Sequence, residues 1–586
     1  MEDGNCEIKK KRRRIDKVDR ISSLPEPLLQ HIMLFLPFQQ VAQTSLVSKV
    51  WRQAWLTFPV LEFNEFDERN RYQRPYQWVK RISQIRPYWE QIVQIRHRNR
   101  VGVRKFKLKT ADKELADRCA SYAIENNVKE LQLNIWYTDQ IDPSEWYNVP
   151  PIVLSSKSID VLTLIHCKLE STRSDLKLSL RKLCLIKVRC DDQVINNIFL
   201  RCGLLEYLEV TACHGFKTIK LFGLTKLSKI IIGQNDEVKQ LKIDALNANS
   251  WLCIRSNMLH ELQLDICKNL TSLSLGSSSS FTDEWLCSII SRIPLLEKLS
   301  ICQFYNIECM KISSCRLKDL SITICGNLVE VRLETPNLHI FRYVGDVISF
   351  SSGSDLTLSE THLCLTPKRV AFLLEPFDNI EPEWHKKYVE LIAKFRQCSN
   401  VVNLQSLHLE YVHFPGELRQ ILTPPLSGVK HFKFKTQFIE LNYAFAKVMD
   451  FLLWISPHAE TICLEYPDNK FRFQFSYKQP PVYEGEIARC CKSLPVVLCW
   501  EHCIEKVDIE ITNTYFEMSK ATGEIRESRN LKKSVKGENI LEEIDGLAVS
   551  RFYRASCQST RDTRGRHEVL AIKQSRSSYQ SNLING

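Results

Sequence analysis

Apolar residues recur along this chain with two periods, one helical and confined to an N-terminal stretch, the other strand-like and repeated through the middle. Between residues 19 and 58, Leu28, Leu29, Ile32, Phe35 and Leu36 return at intervals that place them on one helix face. Leu24-Pro25 precedes them, and proline suits a first helical turn because its missing N–H would be unpaired there. Pro37 is expected to halt this helix. A second short helix fits Gln39 to Thr44, and Ser48 can cap a third that carries Val50, Trp51, Ala54 and Trp55. Three short helices this apolar cannot bury all of their own surface, so some of it is expected to face a partner.

From about residue 101 to 345 one phrase returns, Leu-x-x-Leu-x-Leu. Clear copies are VKELQL (128–133), LRKLCL (180–185), LEYLEV (205–210), VKQLKI (238–243), LHELQL (259–264), LKDLSI (317–322) and LVEVRL (328–333). Alternation at the end of each phrase predicts a short strand with one buried face. Recurrence at 20 to 29 residues is the mark of leucine-rich repeats, whose strands stack into a solenoid. Cys167, Cys213, Cys267 and Cys325 each stand three residues past the last apolar position of a phrase. A small side chain there is expected to turn inward, its S–H bonding weakly to backbone in the turn.

The spacing is uneven. Leu162 to Leu183 is 21 residues and Leu183 to Leu208 is 25, but Ile230 to Leu241 and Leu320 to Val331 are only 11. Eleven residues hold a strand and a turn, not a strand, a helix and two turns. Some coils are therefore expected to carry strands on both sides, with helices kept in longer coils such as Thr282 to Ile293. Solvent-facing positions of the phrases, among them Lys129, Glu130, Glu206, Tyr207, His260 and Glu261, are expected to form the recognition face. Past residue 345 the phrase weakens: GDVISFSSGSD reads as turn-rich, Glu383 to Gln397 as an amphipathic helix, and Tyr443 to Trp454 as a second helical run. LQSLHL (404–409), HFKFK (431–435) and AETICL (459–464) prolong the series, and residues 504–512 end it in clean alternation.

Composition narrows the class. At 44% apolar and 25% charged residues the chain reads as globular. No apolar run is long enough for a membrane span, and no apolar leader follows the N-terminus, so neither a membrane nor a secretory signal is expected. The 22 cysteines, scattered through a long chain, read as free buried thiols rather than a disulfide scaffold. Of the net charge of +12, half lies in the unbroken run Lys9, Lys10, Lys11, Arg12, Arg13 and Arg14, which is too self-repelling to pack. It looks like a nuclear import signal, with a plain solvated tail as the alternative. The basic Ser/Arg/Gln-rich end from about Arg551 is expected to be disordered.

No catalytic constellation emerges: the chain has no Gly-rich phosphate loop, G-x-S-x-G or H-E-x-x-H motif and no paired-carboxylate layout. Cys490, Cys491, Cys499, His502 and Cys503 form the densest ligand-like cluster, but the surrounding segment is apolar and no metal is expected there. His166 and His214 lie beside repeat cysteines and read as strand-end histidines rather than members of nucleophilic pairs. No cofactor is implied.

The N-terminal stretch resembles an F-box, the segment that docks on a Skp-type adaptor within a cullin ubiquitin ligase. The residues that carry the likeness are Leu24, Pro25, Leu28, Ile32, Leu36, Pro37, Val47, Lys49 and Trp51. The motif's frequent Cys and Arg around that lysine are replaced by Ser48 and Val50. The resemblance implies that Leu24, Pro25, Leu28, Ile32, Leu36, Pro37, Val47 and Trp51 bind the adaptor, and through it a cullin. Trp51 is the candidate anchor, or else the residue that locks the third helix onto the first. The segment Cys-Trp-x-x-Cys followed by Glu-Lys-Val-Asp-Ile resembles the FBD-like end of plant F-box/leucine-rich-repeat proteins.

The expected fold is α/β: a three-helix F-box, then a leucine-rich-repeat solenoid, with disordered basic tails. Its divisions are a basic tail (1–18), F-box (19–60), linker and N-terminal cap (61–127), solenoid (128–345), degenerate repeats and FBD-like cap (346–519) and a mostly disordered tail (520–586). The expected function is that of a non-catalytic substrate receptor of an SCF-type ubiquitin ligase in the nucleus, or in nucleus and cytoplasm, with the solenoid binding a protein whose identity stays open. The alternatives are a repeat scaffold or small-molecule sensor outside ubiquitination, and, disfavoured because the basic residues cluster in tails, a nucleic-acid-associated protein.

Overall fold

The computed structural model describes residues 21–513, with gaps of which 66–88, 368–380 and 478–503 are the largest, and residues 531–536. It divides into two compact units, Met1–Ser280 with Arg292–Leu296, and Phe281–Ser291 with Glu297–Gly586.

The first unit opens with helices α1 (Glu26–Met33), α2 (Phe38–Thr44) and α3 (Lys49–Leu56). Pro25 is the N-cap of α1 and Pro27 sits in its first turn, so the tolerated proline lies two residues further on than expected. The helix ends at Met33, well before Pro37, and runs out through tight turns such as Leu36 N–H to Met33 C=O at 3.1 Å. Pro37 instead starts α2. Ser48 caps α3, its hydroxyl accepting from Trp51 N–H at 3.3 Å.

A parallel ladder follows, made of β1 (Val60–Asn64), β2 (Lys105–Thr110), β3 (Glu130–Ile135), β5 (Val161–Ile165), β7 (Lys182–Ile186), β8 (Tyr207–Thr211), β10 (Lys229–Gly233), β12 (Ser250–Arg255) and β14 (Leu270–Ser278). Its register stacks Leu61, Phe106, Leu131, Leu162, Leu183, Leu208, Ile230, Leu252 and Leu273 in one buried column. Each such side chain contributes about 1.5–3 kcal/mol on leaving water, which explains why the phrase repeats Leu or Ile here. The ladder begins ahead of residue 128, because KFKLKT forms a rung without the full phrase. On the other side of the coils lie helices α4 (Lys113–Glu125), α5 (Pro151–Ser155) and α6 (Asp192–Arg201), the pair β4 (Tyr147–Asn148) and β6 (Cys167–Lys168), and then a second ladder, β9 (Thr218–Leu221), β11 (Gln240–Ile243) and β13 (Glu261–Gln263). The 11-residue spacings are therefore strands on both sides of a coil.

An edge strand leaves backbone groups unpaired, and here the last helix supplies partners. The Asp192 carboxylate accepts from Lys217 N–H at 3.0 Å and Thr218 N–H at 2.7 Å, and the Asn196 side chain bonds Lys220 N–H and Thr218 C=O. The second unit repeats the device. Asp283 of α7 (Asp283–Ser291) accepts from Glu308 and Cys309 N–H, at the edge of the ladder β16 (Cys309–Ser313), β18 (Glu330–Glu334) and β20 (Ser349–Ser352). The stretch read as turn-rich after residue 345 thus holds a strand; β20 was obscured because only Phe350 of its four residues is buried.

The main ladder of the second unit comprises β15 (Lys298–Phe304), β17 (Asp319–Thr323), β19 (Ile340–Gly345), β21 (Glu360–Leu365), β22 (Val401–His408), β23 (His431–Phe438) and β24 (Thr461–Glu465), with helices α8 (Pro382–Ala393) and α9 (Phe445–Ile455) in its coils. Parallel pairing thus runs well past residue 345. Three antiparallel strands end it: β25 (Asn469–Tyr477), β26 (Ile504–Asn513) and β27 (Leu531–Lys536). Phe471, Phe473 and Phe475 lie opposite Ile511, Ile509 and Val507 and bury one face of this cap.

Main-ladder strands commonly end in a left-handed residue: His166, Lys187, Ala212, Gln234 and Ile324 all have φ between 50 and 56°. Each donates its N–H to the end of the next rung, as Ile324 does to Val344 C=O at 2.6 Å, and the residue after it turns inward. This conformation costs a β-branched residue most. The Ile324→Asn variant keeps the N–H and relaxes the strain, so chemical denaturation is expected to show stabilisation by about 0.5–1 kcal/mol; an unchanged or lower midpoint would refute that.

Candidate docking surface and ladder face

The three N-terminal helices pack Leu29, Met33, Val41, Trp51, Ala54 and Phe58 into a small core, with Leu24, Ile32, Leu36, Trp55 and Val60 against it. Gln30 ties α1 to the end of α3, donating to Thr57 Oγ1 at 2.9 Å. The Thr57 hydroxyl in turn bonds Glu26. Several other apolar residues of the segment stay outside this core.

Leu28 is 50% exposed, Phe35 76%, Leu46 86% and Val47 65%, with Ile21, Leu34 and Val50 also exposed. Seven of the fifteen exposed large apolar residues among those described thus fall within residues 21–50. Such a concentration on one small element is what a partner-binding surface requires. The candidate residues sort accordingly. Leu28, Val47, Pro25 and Pro37 face solvent; Leu24, Ile32 and Leu36 are half-buried; Trp51 is only 7% exposed and belongs to the internal core. Of the two roles open to Trp51, this geometry supplies the locking one. Leu46 and Phe35 complete the outward set. Phe35 carries the helical period, whereas Leu46 lies in a turn where periodicity says nothing.

The helices are fastened to the ladder by a buried cation. Arg96 is 4% exposed and donates from Nη2 to Phe58 C=O at 2.7 Å and to Gly102 C=O at 3.3 Å. Burial pulls its pKa down, and the neighbouring Tyr122 hydroxyl offsets part of that. Tyr122, Trp89, Phe106 and Phe63 form an edge-on aromatic cluster beside the first rungs.

The solvent face of the first unit's main ladder changes character along its length. Its first rungs carry mutually neutralised charges, Lys105 with Glu130 at 2.7 Å and Lys107 with Glu62 at 3.2 Å. From β7 onward it carries Lys182, Tyr207, Lys229 and Trp251 in a single row. Glu206 lies just before β8 and Lys129 just before β3, but His260 and Glu261 belong to the second ladder, on the other side of the coil. The two ladders share one phrase, so the phrase alone does not say which side a copy occupies.

The inward turns hold the small polar residues foreseen for them. Cys167 donates its S–H to Ile165 C=O at 3.3 Å. Cys213 accepts from Val188 N–H at 3.4 Å and donates to Leu185 C=O at 3.3 Å. Burial pushes the thiols of Cys167, Cys213 and Cys325 up to about 12, so the donor proton is retained at neutral pH. Asn235, fully buried, fills the same place one coil on: its Oδ1 accepts from Cys213 N–H and its Nδ2 donates to Val210 C=O, both at 2.8 Å. It stands three residues past Ile232, the same offset as the cysteines, so the signal lies in the position and not in the thiol. His166 projects from a left-handed turn, and His214 faces Glu237 at 3.7 Å. Both adjoin thiols committed to backbone bonds. The basic run 9–14, Cys267 and the cluster Cys490–Cys503 lie outside the described residues. Among the described residues no helix is long and apolar enough to cross a membrane.

Comparison with known proteins gives two domain matches. An F-box domain model matches residues 21–63, and a model described as At1g61320/AtMIF1, LRR domain, matches residues 94–260 and 251–383. The chain is similar to the putative F-box/LRR-repeat protein At3g18150 of Arabidopsis thaliana, 26% identical over 308 residues, which cover 50% of this chain and 61% of that one. It also resembles the putative F-box/FBD/LRR-repeat protein At4g13965 of the same plant, 28% identical over 406 residues, or 66% of this chain and 89% of the other. A third relative, the putative F-box/FBD/LRR-repeat protein At4g03220, is 26% identical over 216 residues, which make up 40% of its length. The chain thus spans under two thirds of the length of At3g18150 and At4g03220.

Proposed function

We propose, for a chain that carries an F-box domain followed by a leucine-rich-repeat region, that it is a substrate receptor of an SCF-type ubiquitin ligase. In this reading α1–α3 dock on a Skp-type adaptor and through it on a cullin, while the ladder holds a target protein. The chain performs no chemistry itself. It raises the local concentration of target lysines beside the charged ubiquitin carrier, converting an encounter between separate molecules into one within a complex. The basic run Lys9–Arg14 would direct the assembly to the nucleus.

The observation that carries this reading is the outward apolar set Leu28, Phe35, Leu46 and Val47 on a segment whose core is already complete. A protein interface of ordinary size buries about 1,600 Å² and draws most of its affinity from a few apolar anchors. Simultaneous Phe35→Ser, Leu46→Ser and Val47→Ser substitutions remove anchors without touching the helix core. Binding to a purified Skp-type adaptor is expected to weaken at least about 100-fold, with the thermal transition unchanged. Undiminished binding would contradict the reading.

A further inference from the structure

Four side chains on consecutive rungs of the first ladder face solvent in one row: Lys182, Tyr207, Lys229 and Trp251 are mutual neighbours in register. Lys182 Nζ lies 4.3 Å from the centre of the Tyr207 ring, and Lys229 Nζ lies 5.4 Å from that ring and 4.5 Å from the centre of Trp251. Neither lysine forms an ion pair with a carboxylate among the described residues, in contrast to Lys105 and Lys107 on the earlier rungs. The nearby carboxylate, Glu209, accepts from the Tyr207 hydroxyl at 2.9 Å and makes no ion pair with either lysine. The row therefore presents two ammonium groups that lie over aromatic rings and have no ion-pair partner among the described residues. Holding them on the rings costs little electrostatically and lessens the ordering that a partner would otherwise impose.

We infer that this row is the site for an extended acidic segment of the target protein, with carboxylates three residues apart and an apolar residue between them. The inference rests on the receptor reading and specifies the class of segment recognised. Lys182 and Lys229 are two strand spacings apart, about 10 Å, and a segment in the extended polyproline II conformation advances about 3.1 Å per residue with three residues per turn, so side chains at i and i+3 lie on one face about 9 Å apart and match the two ammonium groups. An intervening aliphatic side chain then lies against the half-buried Ile231, two residues past Lys229 on the same strand. A nucleic acid fits less well. Its bases would need open ring faces for stacking, and Tyr207 has a lysine from each neighbouring strand over its ring.

The test uses the full chain and three fluorescent probes read by anisotropy: the peptide Gly-Ser-Glu-Leu-Val-Glu-Ser-Gly, its version with Gln for both Glu, and a twelve-residue oligouridylate. The acidic peptide is expected to bind, the Gln peptide to bind at least about tenfold more weakly, and Lys182→Gln with Lys229→Gln to produce a similar loss, because each removes charge-assisted contacts. Tyr207→Phe keeps the ring and should leave binding within about twofold, whereas Tyr207→Leu should lower it by about tenfold. Equal binding of the two peptides, indifference to the double lysine variant, or preference for the oligonucleotide would each overturn the inference. Adaptor capture by the same variants is measured in parallel. Retained capture with no peptide binding defeats the acidic-segment site alone, and lost capture by the unaltered protein defeats the receptor reading.

Discussion

Trp51→Ala is expected to unfold the three-helix segment and abolish adaptor binding while the ladder stays intact. Trp51 is buried with Leu29, Met33, Val41, Ala54 and Phe58 in a small core, six buried residues among those described. Removing an indole from such a site leaves a cavity that short helices cannot fill, at a cost of about 3–5 kcal/mol. Little else compensates, because helices of seven or eight residues are held by packing rather than by their own hydrogen bonds. Hydrogen exchange should show residues 26–56 losing protection while the rungs from β2 onward keep theirs. Protection retained over α1–α3 would mean that Trp51 is not the lock. The contrast with the Phe35, Leu46 and Val47 serine variant is informative, since that variant should lose the partner and keep the fold.

The second large effect concerns Asn235. Its side chain satisfies two buried backbone groups, Cys213 N–H and Val210 C=O. Asn235→Ala leaves both unpaired beneath the turn, and each such group costs about 1–3 kcal/mol, so a loss of about 2–4 kcal/mol is expected in denaturant titrations. Asn235→Cys should recover more than half of this. Cys213 already performs the same pair of tasks one coil earlier, accepting from Val188 N–H and donating to Leu185 C=O. If cysteine proved no better than alanine at position 235, the equivalence of the two residues would be wrong.

That equivalence shows where reading from the chain succeeds and where it stops. The phrase exposes each buried column because the interior tolerates only aliphatic and aromatic side chains at its two inward positions, as Leu162 and Leu164 or Leu208 and Val210 illustrate. Short spacings likewise imply strands on both sides of a coil, because eleven residues leave no room for a helix. The side of the coil stays hidden: VKQLKI and LEYLEV have the same pattern, yet one lies in the second ladder and the other in the first. What separates them is hydrogen bonding from distant residues such as Asp192 and Asn196 to the edge of β9. The docking helices pose a similar limit. Apolar period marks Ile32 and Phe35 alike, but only packing against α3 turns one inward and leaves the other in water. That Lys182 and Lys229 meet rings and no carboxylate among the described residues is also a matter of neighbours in register, which no local pattern contains.

Within the first unit the docking helices are joined to the first rungs through Arg96, whose guanidinium holds the carbonyl of Phe58 between α3 and β1. Within the first unit, docking helices, junction and ladder face are therefore continuous.

Residues 21–58 are proposed as a ready-made docking element for a Skp-type adaptor. Light scattering on the full chain mixed with a purified Skp-type adaptor, resolved by size-exclusion chromatography, tests it most directly. A one-to-one complex, lost with the Phe35, Leu46 and Val47 serine variant, is the expected result. Separate elution of the two proteins at micromolar concentration would contradict it.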